Sequence, residues 1–226
     1  PIWSTLLGSI YLAEKLNALI SDLSEVDWQI NVITTDSPCS TIEELPLKPD
    51  TPDMNNLFKR AVKVGINGSG YEKGLRFAAD NILEGCSGNP PWLRPNSALA
   101  ILVVSDEDED RSSRYRENAP LFLNDLSQAG YVTGENFKFY GIIGHPSSPC
   151  PTIQSPGELY ATVIEATGGL WGSICAPDYG PTLSAISEDI RLNLKREFPL
   201  RFKPVLSTLD LTLNGAAYIG AWTLVG

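Results

Sequence analysis

The feature that most constrains this fold is an alternation of two kinds of periodicity. Apolar runs of strand length, ALAILVVS at 98–105 and NFKFYGIIG at 136–144, are separated by stretches with helical spacing. An uninterrupted apolar run bounded by turn signals reads as a strand buried on both faces. Upstream, VDWQINVITT at 26–35 alternates, with Trp28, Ile30 and Val32 on one face and Gln29 and Asn31 on the other. That pattern predicts a half-buried strand. Helices are predicted over 5–22, around 54–64, over 71–83 and 117–129, in the glycine-stopped GELYATVIEATGG, and over 182–198. LWGSIC between the last two suits a short edge strand. Strands alternating with helices imply an α/β fold, with a largely parallel sheet covered on both faces. Past 199 the pattern changes: strand-like runs flank Asn214-Gly215, a strong hairpin signal. The expected division is an α/β domain over 1–199 and the start of an all-β appendage over 200–226.

Charge narrows the class of function. The chain of 226 residues carries a formal net charge of −10, with 42% hydrophobic and 19% charged residues. That is globular composition. The negative balance argues against nucleic acid as a partner and against attraction to an anionic membrane surface, and it suits cation binding. No apolar run approaches the roughly 18 residues needed to span a bilayer, and no signal peptide is visible. The chain opens directly in a helical pattern, so it reads as a piece of a longer protein.

Four cysteines, Cys39, Cys86, Cys150 and Cys175, all sit in turn-rich segments, and there is a single histidine. A zinc site is therefore not expected. Loop cysteines in even number predict two disulfides and an oxidising compartment. The residues themselves leave three connectivities open.

The candidate chemistry sits after ALAILVVS. Ser105 is followed by five consecutive acidic residues, Asp106 to Asp110. In an open parallel sheet, sites form outside the carboxyl ends of the strands. Asp106 is placed at that edge, and Ser69, in the glycine-rich GINGSG, opens the next predicted helix. Both offer the hard oxygens that Mg²⁺ prefers, in a shell of about six that tolerates only a few carboxylates. Glu107 to Asp110 are expected to form a solvated loop. GINGSG is not a dinucleotide fingerprint, because its glycines stand at 65, 68 and 70 and follow a helix. No phosphate-binding P-loop and no G-x-S-x-G elbow occur. His145, in a loop before Pro146, reads as a surface histidine rather than a catalytic base. Asn67-Gly68-Ser69 matches the glycosylation sequon, read as fortuitous beside a metal loop. No catalytic or organic-cofactor residues are singled out.

The combination of VDWQINVITTD, GINGSGYEKGLRFAADNI, ALAILVVSDEDED, FKFYGIIG and ATGGLWGSIC covers most of 5–198 and resembles a von Willebrand factor A-type (VWA) domain, in particular the bacterial extracytoplasmic branch that includes lipoproteins. The resemblance implies a doubly wound, mostly parallel, Rossmann-like sheet with a metal-ion-dependent adhesion site at its upper edge. Family members hold the metal with an Asp-x-Ser-x-Ser motif after the first strand, a hydroxyl residue in a second loop and an aspartate after the fourth strand. Asp106 matches the last and Ser69 the second. The first motif has no counterpart here; the helix at 5–22 resembles the one that follows it, so the motif and its central strand are expected upstream of Pro1. Without that strand its two neighbours lose ladder partners, and a chain of these residues alone is expected to bind metal weakly or not at all.

The resemblance further implies the pairing Cys39–Cys86 and Cys150–Cys175. It implies an extracytoplasmic binding module, periplasmic, cell-surface or secreted. The module would hold a divalent cation, Mg²⁺ first and Mn²⁺ or Ca²⁺ as alternatives, and take a protein or surface ligand bearing an acidic group. Two alternatives accompany it: a structural domain with a vestigial site, and an Mg²⁺-dependent phosphoryl-transfer enzyme, for which Lys48, Lys59, Arg60, Lys63 and Arg111 are only loosely placed.

Overall fold

In the computed structural model the described residues are 12, 15–20, 23, 26–64, 71–86, 92–95, 97–151, 153, 155–193, 205, 210, 212–213 and 216–217. The chain divides into two compact units, Pro1–Lys195 and Arg196–Gly226.

The first unit is built on helices α1 (Leu16–Ile20), α2 (Met54–Val62), α3 (Gly74–Leu83), α4 (Ala119–Gln128), α5 (Glu158–Thr167) and α6 (Gly180–Asn193), and strands β1 (Leu99–Ser105), β2 (Phe137–Ile143) and β3 (Trp171–Ser173). The strands form one open parallel sheet in the order β1-β2-β3, with Leu99 opposite Phe137 and Gly141 opposite Trp171. This is the α/β architecture expected, consistent with a Rossmann-like fold. In the second unit β4 (Thr212–Leu213) pairs antiparallel with β5 (Ala216–Ala217), bracketing residues 214 and 215 as the Asn-Gly signal predicts.

The two-residue period of a strand assigns the faces. Odd positions Leu99, Val103, Phe137, Phe139 and Ile143 join Leu75 and Ala79 of α3, Phe122 and Leu126 of α4, and Val163 and Ile164 of α5 in one core. Even positions turn the other way: Leu102, Val104 and Ile142 pack with Ala18 and Leu19 of α1 and Leu183 of α6. Tyr140 Oη and Lys138 Nζ, also even, both bond Asp189 of α6, at 2.7 and 2.8 Å. The turn that ends α5 approaches β2 so closely that a Cβ on Gly169 would lie 1.8 Å from the Phe139 carbonyl oxygen.

The predicted strand at 26–35 is not part of this sheet. It makes only isolated antiparallel bridges, Ile30 with Leu47 and Thr34 with Ser37. Ile30 exchanges both backbone bonds with Leu47 (2.9 and 2.8 Å), and the Val32 carbonyl accepts from Thr41 N–H. Its apolar face is nevertheless used: Trp28, Ile30 and Val32 pack against Leu47, Phe58 and Val62. The alternation thus set which residues pack, but a strand also needs a ladder, and this segment has one only on its even-numbered side.

Both disulfides expected from the resemblance are present, Cys39–Cys86 and Cys150–Cys175. Among the described residues no helix is long and apolar enough to cross a membrane. Of the helix predicted over 5–22, residues 16–20 are seen as α1. Ser69, the sequon and residues 194–200 lie outside the described residues.

Candidate functional site

The carboxyl edge of β1 is where the acidic run begins, and it is shaped by two kinds of demand. Ser105 Oγ donates to the Glu107 carbonyl (2.9 Å) and accepts from Glu107 N–H (3.2 Å), turning the chain sharply as the strand ends. Asp106 sits at that turn with 5% of its surface exposed. Its backbone carbonyl accepts from Ser155 N–H in the loop after β2.

The second demand comes from helices. In a parallel sheet the helices start at the same edge where strands end, and each start carries unpaired N–H groups and the positive end of a dipole. Neither α3 nor α5 has a side-chain cap of its own: Lys73 and Gly157 occupy their N-cap positions. The acidic run supplies both. Glu109 Oε2 accepts from Leu75 N–H (2.8 Å) and Oε1 from Arg76 N–H (3.0 Å), closing the first turn of α3. Tyr160 Oη (3.2 Å) and the Ser113 hydroxyl donate to the same carboxylate. Asp108 Oδ1 accepts from Leu159 N–H at the start of α5 (3.1 Å), while its Oδ2 takes a 2.7 Å bond from Arg116 Nη1. Asp110 accepts from Ser112 N–H (2.8 Å), and its own N–H bonds the Glu72 carbonyl.

This corrects the expectation of a solvated loop. Asp108 and Glu109 are 8% and 1% exposed, and they tie β1 to α3 and α5. Burial pushes both carboxyls above the ordinary range; the Ser113 hydroxyl and the α3 amides hold Glu109 back, while the Glu109 N–H and Arg116 hold Asp108 back. The sequence carried one signal of this role: the absence of Ser, Thr, Asp or Asn at the starts of α3 and α5.

Asp106, Glu107 and Glu72 form a second, more open acidic group. Burial raises Glu72 first of all; a hydrogen bond from Thr35 opposes that, and the negative charges of Glu107, Asp106 and Asp36 add to it. Burial and the charge of Asp106 raise Glu107. Glu72 was not singled out from the sequence. Of the predicted ligands, the structure places Asp106 at the edge expected, and Ser69 falls outside the described residues. Among the described residues no group of three or more His, Cys, Asp or Glu side chains is arranged to hold a metal ion. A shell of about six oxygens, as such a cation needs, is therefore not seen among the described residues. His145 is buried, stacked on Trp171 at 3.9 Å between ring centroids, with Nδ1 facing the Ser147 hydroxyl at 2.8 Å. It is a packed ring, not the surface histidine expected.

Compared with protein-family models, with curated proteins and with solved structures, the chain gives no match in any of the three.

Proposed function

We propose that this chain is a VWA-like binding module of an extracytoplasmic protein, with a doubly wound arrangement and no enzymatic activity. In this reading it holds a divalent cation, Mg²⁺ by preference, through Asp106 and Ser69, and further oxygens come from outside the described residues. The observation that carries it is the position of Asp106, buried directly at the carboxyl end of a parallel strand. Helices against both faces of the sheet, two disulfides and the absence of a membrane-crossing helix among the described residues support it. The bound cation would supply an open coordination position for a carboxylate on a protein or surface partner. The partly exposed loop 36–53 and the segment around 145–157, both at or near disulfide cysteines, would shape the choice of partner.

One observation favours a second reading, a structural domain with a vestigial site. Two of the five acidic residues, Asp108 and Glu109, are taken up in capping helices, and no complete donor group is present among the described residues.

Thermal unfolding of the full-length protein, including whatever precedes Pro1, with millimolar Mg²⁺ against chelator separates the two. A cation that binds only the folded chain raises stability by RT ln(1 + [L]/Kd). The binding reading expects an Mg²⁺-dependent rise that disappears in Asp106→Asn and in Ser69→Ala. The same unfolding temperature with and without Mg²⁺ in the wild type would establish the scaffold reading.

A further inference from the structure

Helix α2 carries a row of cations on the face it does not bury. Phe58, Ala61 and Val62 are buried, and Phe58 and Val62 cluster with Trp28, Ile30 and Leu47. Asn56, Lys59, Arg60 and Lys63, three and four residues apart, share the exposed face. Together with Ile42 they line a concavity of about 530 Å³, a size common among small-molecule sites. The wall opposite α2 is held in place on both sides of Ile42. On one side are the Cys39–Cys86 disulfide and the bond from Thr41 N–H to the Val32 carbonyl (3.0 Å). On the other are the two backbone bonds between Leu47 and Ile30. Arg60 Nη1 ties this wall to α2 through Glu44 Oε1 (2.8 Å).

The charge of the row is not answered locally. The chain holds 27 acidic residues against 17 basic ones, yet Lys59 and Lys63 make no ion pair among the described residues. They stand four apart on the helix, where like charges repel. α2 itself contains no acidic residue. Asp53, just before it, accepts from Asn56 Nδ2 (2.7 Å), and the next acid along the chain after Lys63 is Glu72. The negative end of the α2 dipole favours cations in the last turn, but it requires no wall facing them. Glu44 offsets one of the three cations, so the concavity keeps two positive charges.

We propose that this concavity binds a small hydroxylated phosphomonoester, of the chemical class of a sugar phosphate. A phosphomonoester carries close to two negative charges at neutral pH, which matches the charge left over; a carboxylate carries one. Lys59 and Lys63 supply ammonium charges, and Arg60 supplies the N–H groups that Glu44 does not use. Asn56 spends its amide nitrogen on Asp53 and keeps Oδ1 to accept from a ligand hydroxyl. Ile42 and the methylene stems of the lysines cover the carbon skeleton. Inorganic phosphate meets the charge but leaves Asn56, Ile42 and most of the volume unused. The site shares no residue with the Asp106 edge, and the proposal does not rest on the cation reading.

The test is a titration of the full chain followed by backbone amide NMR, in EDTA, at low ionic strength and about pH 7.5, where the phosphate is a dianion. The probes are glucose phosphorylated at its primary hydroxyl, inorganic phosphate, glucose and glucuronate. The sugar phosphate should shift the amides of Ile42, Asn56, Lys59, Arg60 and Lys63 and saturate near about 1 mM, with inorganic phosphate about tenfold weaker. Glucose and glucuronate should give no saturable shift below about 10 mM. The double substitution Lys59→Gln with Lys63→Gln, at two exposed positions, should weaken the sugar phosphate by about tenfold or more. Arg111→Gln, which removes one charge from an exposed position on another segment, should leave it within about twofold. Shifts that are absent or centred on other residues, or binding undiminished by the double substitution, would overturn the proposal. Inorganic phosphate or glucuronate binding as tightly as the sugar phosphate would overturn it too, by showing that the site reads charge alone. If the doubly substituted chain does not fold, the four probes on the wild type decide.

Discussion

Glu109 is the position at which this account is most exposed to refutation. Replacing it with alanine strips the first turn of α3 of its two acceptors and leaves the Leu75 and Arg76 amides without them. It also removes the acceptor of the Ser113 and Tyr160 hydroxyls, in a place where only 1% of the Glu109 surface meets solvent. Loss of a helix N-cap costs about 1 kcal/mol, and a buried donor left unsatisfied costs about 1–3 kcal/mol. Against this, alanine no longer carries a carboxylate whose burial is unfavourable, as its raised pKa shows. The balance is a loss of about 3 kcal/mol, which for a domain of this size lowers the unfolding temperature by roughly 6–12 °C. Urea unfolding followed by tryptophan fluorescence, with disulfides intact, measures it. The internal contrast is Glu107→Ala, two residues away in the same acidic run. Glu107 is half-buried beside Asp106 and gives up an unfavourable charge, so its removal should change stability by no more than about 0.5 kcal/mol or raise it. If Glu109→Ala costs less than about 1 kcal/mol, or if the two substitutions cost the same, the run is a solvated loop after all and the capping account is wrong.

The same carboxyls set a pH dependence. Glu72, Glu107, Asp108 and Glu109 are all raised above their ordinary values, each mainly by burial. A carboxyl that holds its proton more tightly folded than unfolded favours the folded chain at low pH and loses that contribution as pH rises through its folded value. The unfolding temperature should therefore rise as pH falls from about 7 toward about 5, and a fall over that interval in calorimetry would contradict the shifts. The disulfides should differ in weight. Cys39–Cys86 and Cys150–Cys175 close sequence separations of 47 and 25 residues, so the chain-entropy model gives about 4 and about 3.5 kcal/mol. Paired Cys→Ser variants in urea should both be destabilised, the first by the larger amount.

Much of this molecule was legible in its sequence where the signal was local. Apolar runs of strand length with glycine stops located β1 and β2, because a strand buried on both faces has no alternative composition. Helical spacing located α3 and α5, with boundaries moved by a few residues, and the start of α6 to within two residues. Asn214-Gly215 marked the pairing of residues 212–213 with 216–217, because that dipeptide is a strong local signal for a two-residue hairpin. Where a property depended on a neighbour, the sequence fell short. The alternation of 26–35 specified a packed face, yet pairing requires a second backbone within reach, and no local pattern supplies one.

The acidic run divides the two kinds of knowledge most clearly. Sequence by itself determined that five carboxylates follow a buried strand, that one of them stands at the sheet's carboxyl edge, and that four loop cysteines sit where bridges can form. Only the tertiary structure decided what most of those carboxylates do. Asp108 and Glu109 reach helices whose starts lie about 50 residues later and about 34 residues earlier in the chain. A helix start that lacks a cap is visible in a sequence. The side chain that answers it becomes identifiable only when folding brings strand ends and helix N-termini to one edge, where the need for negative charge is satisfied across the sheet rather than along the chain.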